Sequence, residues 1–322
     1  MLVFKMHFHQ QLLIAGLSLM FLACNSHIKP TPIIENPFLI ILGTVQDGGS
    51  PHIGCTKDCC QALFEQPSPS RKVVSLGIVD PVNQQKFLFE ATPDLTAQVK
   101  DLKKYAAFNN KETPDGIFLT HAHIGHYAGL MYLGREALGA KSTTVYAMPR
   151  MKLFLENNGP WSQLVALKNI DLQPLADLSP VVLNSNIKVT PFRVPHRDEF
   201  SETVGYKMEG PNKKVLFVPD IDKWEKWETS IITEIAKVDY ALIDGTFYDE
   251  TEIENRKISE IPHPFIIESM EKFKNLPARE KNKIWFIHFN HTNPVLNPES
   301  PQSKNVAKNG FHVARFHQIL SL

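Results

Sequence analysis

Thr120-His121-Ala122-His123-Ile124-Gly125-His126-Tyr127 is the stretch on which the reading of this chain turns. The apolar residues 116–120 lead into it with the length of a short buried strand. Residues 127–133 follow with the apolar face of a helix. Three imidazoles within six residues at a strand-to-helix junction do not serve packing. Neutral imidazole is the commonest metal ligand, and zinc or iron sites are built from such clusters. At this spacing His121 and His123 can turn toward one centre, while His126 serves the same ion or a neighbour. The plain alternative, a polar loop that happens to be rich in histidine, is disfavoured because more residues of ligand type close later strands.

The bulk numbers set limits. With 322 residues, 43% hydrophobic and 21% charged, the chain has the composition of an ordinary folded protein with one large domain or two small ones. Lys plus Arg and Asp plus Glu stand at 34 each, so no global charge draws it to nucleic acid, and no nucleic-acid partner is expected. A small molecule is the expected partner. Four cysteines are too few for a disulfide scaffold, and three crowd into Cys55-Thr56-Lys57-Asp58-Cys59-Cys60, which favours metal over a disulfide.

The beginning of the chain reads as an address. Lys5 precedes an apolar run over residues 12–23, too short to span a bilayer but suited to the core of a secretory signal. Phe21-Leu22-Ala23-Cys24 resembles a bacterial lipobox, which implies cleavage before Cys24 and lipidation of its thiol. The alternative is a plain signal peptide or an uncleaved anchor. Expected on this reading are a signal peptide over residues 1–23, a lipid-anchored tether over 24–37 and a working domain over 38–322. The protein would be an exported lipoprotein on the periplasmic face or outer membrane, held to the membrane by its lipid.

Within the domain, strand after strand runs apolar and then stops on a His or an Asp. Residues 187–194 end at His196, 215–218 at Asp220, 240–243 at Asp244 and 284–287 at His288. Residues 38–45, 74–79, 86–90 and 144–147 are further strands, and 94–104 and 150–156 are helices. Ligands gathered beyond strand ends are what an active site on a layered α/β fold requires. Strands outnumber clear βαβ units, so two packed sheets flanked by helices fit better than one doubly wound sheet.

His121, His123, His126, His196, Asp220 and His288, in that order, resemble the metallo-β-lactamase superfamily. The resemblance implies a four-layer αββα sandwich with one or two metal ions at the sheet edges. Glu90-Ala91-Thr92-Pro93-Asp94-Leu95, the segment from Leu119 to His126, Leu133-Gly134-Arg135-Glu136 and His288-Phe289-Asn290-His291-Thr292-Asn293-Pro294 resemble the branch containing coenzyme PQQ synthesis protein B. By resemblance, His121, His123 and His196 hold a first ion, and His126, Asp220 and His288 a second, with Asp220 bridging. Asp220 and His288 would take part in the chemistry. Asp222 reads as the N-cap of a helix at Lys223-Trp224-Glu225, and Asp244 as a residue orienting a ligand His.

One departure from the superfamily concerns position 125. The usual His-x-His-x-Asp-His has Gly125 in place of the Asp. Either one ion suffices, or Asp47 or His52 from the early Gly-rich loop substitutes; Asp47 reads equally well as a turn residue before Gly48-Gly49. Another superfamily member, the phosphoribosyl cyclic phosphodiesterase of phosphonate breakdown, has a Cys-rich zinc loop closed by a late His. That likeness places Cys55, Cys59, Cys60 and His291 at a structural zinc, with a disulfide as the alternative. His263, His312 and His317 have no partner motif and read as ordinary surface or helix residues.

The function expected is an exported metal-dependent hydrolase, with a metal-activated water attacking an ester, lactone, amide or phosphodiester. Zinc is the expected cofactor, with one or two active-site ions and a structural one; iron or manganese suits the same active-site donors. An iron-dependent oxygenase of the PQQ-synthesis type and a non-catalytic metal-binding protein of the same fold are the alternatives.

Overall fold

The computed structural model describes residues 34–253 and 257–322. Its first sheet takes β1 (Phe38–Gly43), β2 (Ser75–Asp80), β3 (Gln85–Phe89), β4 (Gly116–Phe118), β5 (Thr143–Ala147) and β6 (Ile170–Pro174). The second takes β7 (Val181–Val182), β8 (Lys188–Arg193), β9 (Val204–Glu209), β10 (Lys214–Val218), β11 (Tyr240–Asp244), β12 (Ile284–Ile287) and β13 (His312–Val313). A last strand, β14 (Ile319–Ser321), returns to the first sheet beside β1. Among the described residues the sheet orders are β14-β1-β2-β3-β4-β5-β6 and β13-β12-β11-β10-β9-β8-β7.

Strands buried on both faces explain why the sequence shows apolar runs rather than alternation. In β1, Leu39 and Ile41 join Phe89, Phe118, Tyr206, Val215 and Phe217 in the core between the sheets. Phe38, Ile40 and Leu42 face the other way, into an apolar cluster with Leu95, Leu102, Met151, Leu155 and Leu164. Those last five belong to the helices Leu95–Tyr105, Pro149–Asn157 and Trp161–Ala166. On the far side, Leu216, Val218, Ala241 and Ile243 pack with Ile231, Ile235, Ile266, Met270 and Val306 of the helices Ile231–Ala236, Ile266–Lys272 and Pro301–Lys308. Helix, sheet, sheet, helix is the αββα sandwich expected. Burying each Leu, Ile or Phe contributes roughly 1.5–3 kcal/mol, so the three apolar layers carry the stability.

Strand direction positions the site. β1 and β3 each pair antiparallel with β2 and so run alike, and β3 to β6 are parallel. β8 and β10 each pair antiparallel with β9, and β10 to β13 are parallel. The C-terminal ends of β1, β3 and β4 therefore share one edge of the first sheet. Those of β8, β10, β11 and β12 share one edge of the second. The two edges are stitched by a bridge between Val45 and Phe289. There the Phe289 N–H donates to Thr44 O at 2.7 Å and the Gln46 N–H to Phe289 O at 2.8 Å.

Tyr206 ties the sheets together just before the histidine cluster. Its ring is fully buried, and its hydroxyl donates to the Leu119 carbonyl across the core. Tyr206→Phe keeps the packing but leaves that carbonyl short of a donor, so unfolding of metal-free protein in urea should show a loss of about 1–3 kcal/mol. An unchanged midpoint would show that the bond contributes nothing net.

The compact unit runs Ile34–Leu322: Ile34 packs on the cluster beneath the first sheet, and the Leu322 N–H donates to Pro37 O at 2.9 Å. The signal-peptide segment and Cys24 lie outside the described residues. Among the described residues no helix is long and apolar enough to cross a membrane. The expectation of an exported lipoprotein attached to a membrane therefore finds no support in the structure and is withdrawn.

Candidate metal centre

Five imidazoles and two carboxylates meet where the two stitched edges face each other. The loops after β4, β8 and β10 supply His121, His123, His196 and Asp220, whose donor atoms all lie within 4.8 Å of one another. His121 Nε2 is 2.9 Å from His123 Nδ1. Asp220 Oδ2 sits 3.4 Å from His121 Nε2, 3.3 Å from His196 Nε2 and 4.0 Å from His123 Nδ1. A second group joins the loop after β1 to those after β4 and β12: Asp47, His126 and His288. Asp47 Oδ1 lies 2.8 Å from His126 Nε2 and 3.6 Å from His288 Nε2. The same Asp220 oxygen is 3.9 and 4.0 Å from those two nitrogens, so Asp220 stands between the groups.

Each ring is held by its other nitrogen, which fixes the tautomer and aims the free lone pair inward. With Nε2 free, the Nδ1–H of His121 donates to Thr120 Oγ1 at 2.9 Å and that of His288 to Thr246 Oγ1 at 2.9 Å. Thr246 in turn donates its hydroxyl to Asp244 Oδ1 at 2.7 Å. His196 Nδ1 faces Asp222 Oδ1 at 3.2 Å, and His126 Nδ1 faces Glu90 Oε1 at 3.3 Å. His123 is turned the other way round, with Nε2 on Glu199 Oε2 at 3.3 Å. Glu90 and His288 both adopt positive φ, 75° and 68°. Side chains other than glycine avoid this region, and it bends the chain sharply off a strand end into the cluster.

Electrostatics match a cationic occupant. Burial alone would raise the Asp220 carboxyl, but His196, His263 and the other rings hold it well below the usual carboxylate range. Asp47 is likewise held down against burial by His126 and His288. Burial, with His126 beside it, pushes His121 well below the ordinary imidazole value, which favours the neutral ring with a free lone pair. His126 Nε2, His196 Nε2, His288 Nε2, Asp47 Oδ1 and Asp220 Oδ1 are buried with no hydrogen-bond partner outside this cluster of rings and carboxylates. Buried polar atoms are normally satisfied. A convergent set of unsatisfied nitrogen and oxygen atoms is what a metal ion completes, so the residues fit one. The chain thus carries a metal-binding cluster consistent with a metal-dependent enzyme.

Several assignments change. His263, read as an ordinary surface residue, is in the centre: its Nδ1 is 2.9 Å from Asp244 Oδ2 and 3.2 Å from Asp220 Oδ1. Burial disfavours its charged form, yet the two carboxylates hold its pKa well above the usual value. Asp222 does not cap a helix; the 3₁₀ turn at Trp224–Lys226 has no side-chain cap, and Asp222 orients His196 while pairing with Lys226 at 2.8 Å. Asp244 supports His263 directly and the ligand-type His288 only through Thr246. His52 does not substitute at position 125, since its ring stacks on His291 at 4.4 Å.

The thiols form a separate group. Cys55, Cys59 and Cys60 are free and within 4.8 Å of one another, at the start of the helix Asp58–Glu65. The group does not include His291. That ring lies against His52, whose backbone N–H donates to Cys60 Sγ at 3.3 Å, and its Nδ1 is buried and unpartnered. Burial and the adjacent thiols push Cys59 up to about 12, and burial pushes Cys60 up as well. Cys55 is held down, against burial, by the Lys57 backbone and the two thiols. Three thiolates together therefore need a cation.

Comparison with known proteins agrees with this geometry. Residues 85–289 match the family model described as a beta-lactamase superfamily domain. Coenzyme PQQ synthesis protein B of Methylorubrum extorquens (strain PA1) is 24% identical over 305 residues, covering 88% of this chain and 99% of that protein. The crystal structure of zinc-bound PqqB from Methylobacterium extorquens superposes with a TM-score of 0.72 and 23% identity, covering 88% of this chain and 100% of that one. A diphosphatase from the PhnP family aligns with a TM-score of 0.59 and 19% identity over 89% of this chain and 97% of its own. The family model spans most of both sheets and the loops that bring the histidines together, and on that ground this chain belongs to the beta-lactamase superfamily.

Proposed function

We propose that the chain is a metal-dependent hydrolase in which His121, His123, His196 and Asp220 hold zinc, acting on an ester, lactone, amide or phosphodiester of a small molecule. One observation carries the reading: donor atoms from both sheets converge within 4.8 Å of one another, while the opposite nitrogen of each ring is held. The chemistry a bound zinc ion supplies is Lewis acidity, which polarises a substrate oxygen and acidifies water. The zinc named in the solved relative supports the choice of metal, as does a donor set of imidazoles and carboxylate.

The chain's own residues do the rest. Asp220 stays ionised and fixes the spacing of the rings around it. Asp222 and Thr120 keep His196 and His121 in the tautomer that presents Nε2. His263 commits Nδ1 to Asp244 and Asp220 and keeps 12% of its side chain exposed, which leaves Nε2 for a substrate. In this role His263 would pass a proton to a departing alkoxide or amine.

Protein stripped by chelation and reloaded with zinc should hydrolyse at least one substrate in a panel of nitrophenyl esters, lactones and phosphodiesters. The stripped form should hydrolyse none. Zinc-replete protein inert across the panel, or iron retained at one equivalent with oxygen consumed, would overturn the reading.

A structural ion at Cys55, Cys59 and Cys60 belongs to the same reading. His291, whose Nδ1 is buried and unpartnered and whose ring stacks on His52, would complete a three-thiolate, one-imidazole zinc set. His291→Ala should then lose one equivalent of zinc and melt at a lower temperature. Unaltered zinc content would reject His291 as the fourth donor.

A further inference from the structure

We propose that Asp47 is the carboxylate ligand of a second active-site ion, held with His126, His288 and the shared Asp220, and that it occupies the volume a side chain at position 125 would fill. The inference rests on the metal-centre reading above and adds a ligand from the loop after β1. A Cβ at Gly125 would stand 2.6 Å from Asp47 Cα and would overlap the Asp47 carboxylate itself. Two side chains cannot share that space: either position 125 carries one or Asp47 does. A bare Gly125 is therefore the condition for Asp47 to enter, rather than a loss of the second site.

The placement of Asp47 is built in. Its loop is fixed by the hydrogen bonds from the Gln46 N–H to Phe289 O and from the Phe289 N–H to Thr44 O. That ties it to the segment bearing His288, so the carboxylate cannot drift away from the ring it serves. Asp47 Oδ1, His126 Nε2 and His288 Nε2 are all buried and have no hydrogen-bond partner outside their own cluster, with Asp47 Oδ1 facing His126 Nε2 at 2.8 Å. The outer edges of both rings are meanwhile occupied, His126 by Glu90 and His288 by Thr246. Three donors that face only one another, one of them anionic, with a fourth from Asp220, make a closed oxygen–nitrogen set for a divalent ion. Asp47 adds a negative charge that belongs to this ion alone, beside the one Asp220 shares with the first.

The test counts ions. Zinc is titrated calorimetrically into chelator-stripped full-length protein, and bound metal is measured by mass spectrometry after desalting. Wild type should hold two active-site equivalents besides the thiolate one. Asp47→Asn, which keeps shape and removes charge, should hold one equivalent fewer, with that ion weakened by at least about 100-fold, the upper end of what losing a supporting group costs. Asp47→Glu should recover part of the affinity. Gly125→Asp should also lose the second ion, because its Cβ drives Asp47 out. Wild type with a single active-site equivalent, Asp47→Asn with undiminished stoichiometry and affinity, or Gly125→Asp binding the second ion more tightly than wild type would each overturn the proposal. None of these three results bears on the ion at His121, His123 and His196, whose own failure would appear as no active-site equivalent at all. Far-ultraviolet circular dichroism of each variant separates a lost ligand from a lost fold.

Discussion

Asp220→Asn should abolish retention of the active-site ion and lower kcat/KM by at least about 10³-fold, since Lewis-acid stabilisation is worth several kcal/mol. No other residue touches so much of the centre. One of its oxygens is within 4.0 Å of all five imidazoles, and the other is 3.2 Å from His263 Nδ1. An amide keeps the volume but presents either a neutral oxygen or an N–H to nitrogens that offer lone pairs. The measurement is zinc content by mass spectrometry beside steady-state hydrolysis of whichever panel substrate wild type cleaves. A variant with full zinc content and wild-type rates would show that Asp220 is not a metal ligand.

His263→Asn should lower kcat by about 10² to 10⁴-fold, the range expected for a lost proton donor, without changing zinc content. The amide retains an N–H near the position of Nδ1, so Asp244 and Asp220 keep a donor and the buried carboxylates are not left facing each other. A proton-donor role makes a sharper prediction than loss of rate. Substrates with a poor leaving group, such as alkyl esters, should show the full loss, whereas nitrophenyl esters, whose leaving group needs no proton, should lose little. A loss equal for both classes would assign His263 a role in positioning Asp220 instead. Histidine restored at 263 on an otherwise variant-free chain is the reference for both classes.

How far the site could be read in advance follows from where its residues lie. His121, His123, His126, His196, Asp220 and His288 each sit one to a few residues beyond an apolar strand. Strand and ligand thus advertise each other within a few positions of sequence. The strands themselves were legible because both faces are buried, which leaves runs such as Phe38-Leu39-Ile40-Ile41-Leu42 with no polar interruption. β9 was not anticipated: Gly205 and Lys207 interrupt it, and its place in the sheet comes from pairing with β8 and β10. The address read at the chain's beginning was a pattern of composition, and no membrane-crossing helix among the described residues accompanies it.

The sequence by itself determined the layered fold, the superfamily and the strand-end ligands, because these depend on short-range periodicity and on residue types rare outside metal sites. Only the tertiary structure decided the rest. His263 carries no local motif, and it matters because a loop brings it against Asp244 and Asp220. Asp222 looked like a cap, since the residue that needed it, His196, lies on another strand's loop. Gly125 looked like a missing ligand until the bridge between Val45 and Phe289 placed Asp47 in its space. In each case the deciding contact joins residues far apart in the chain, and a contact of that kind is set by packing, which no window of sequence contains.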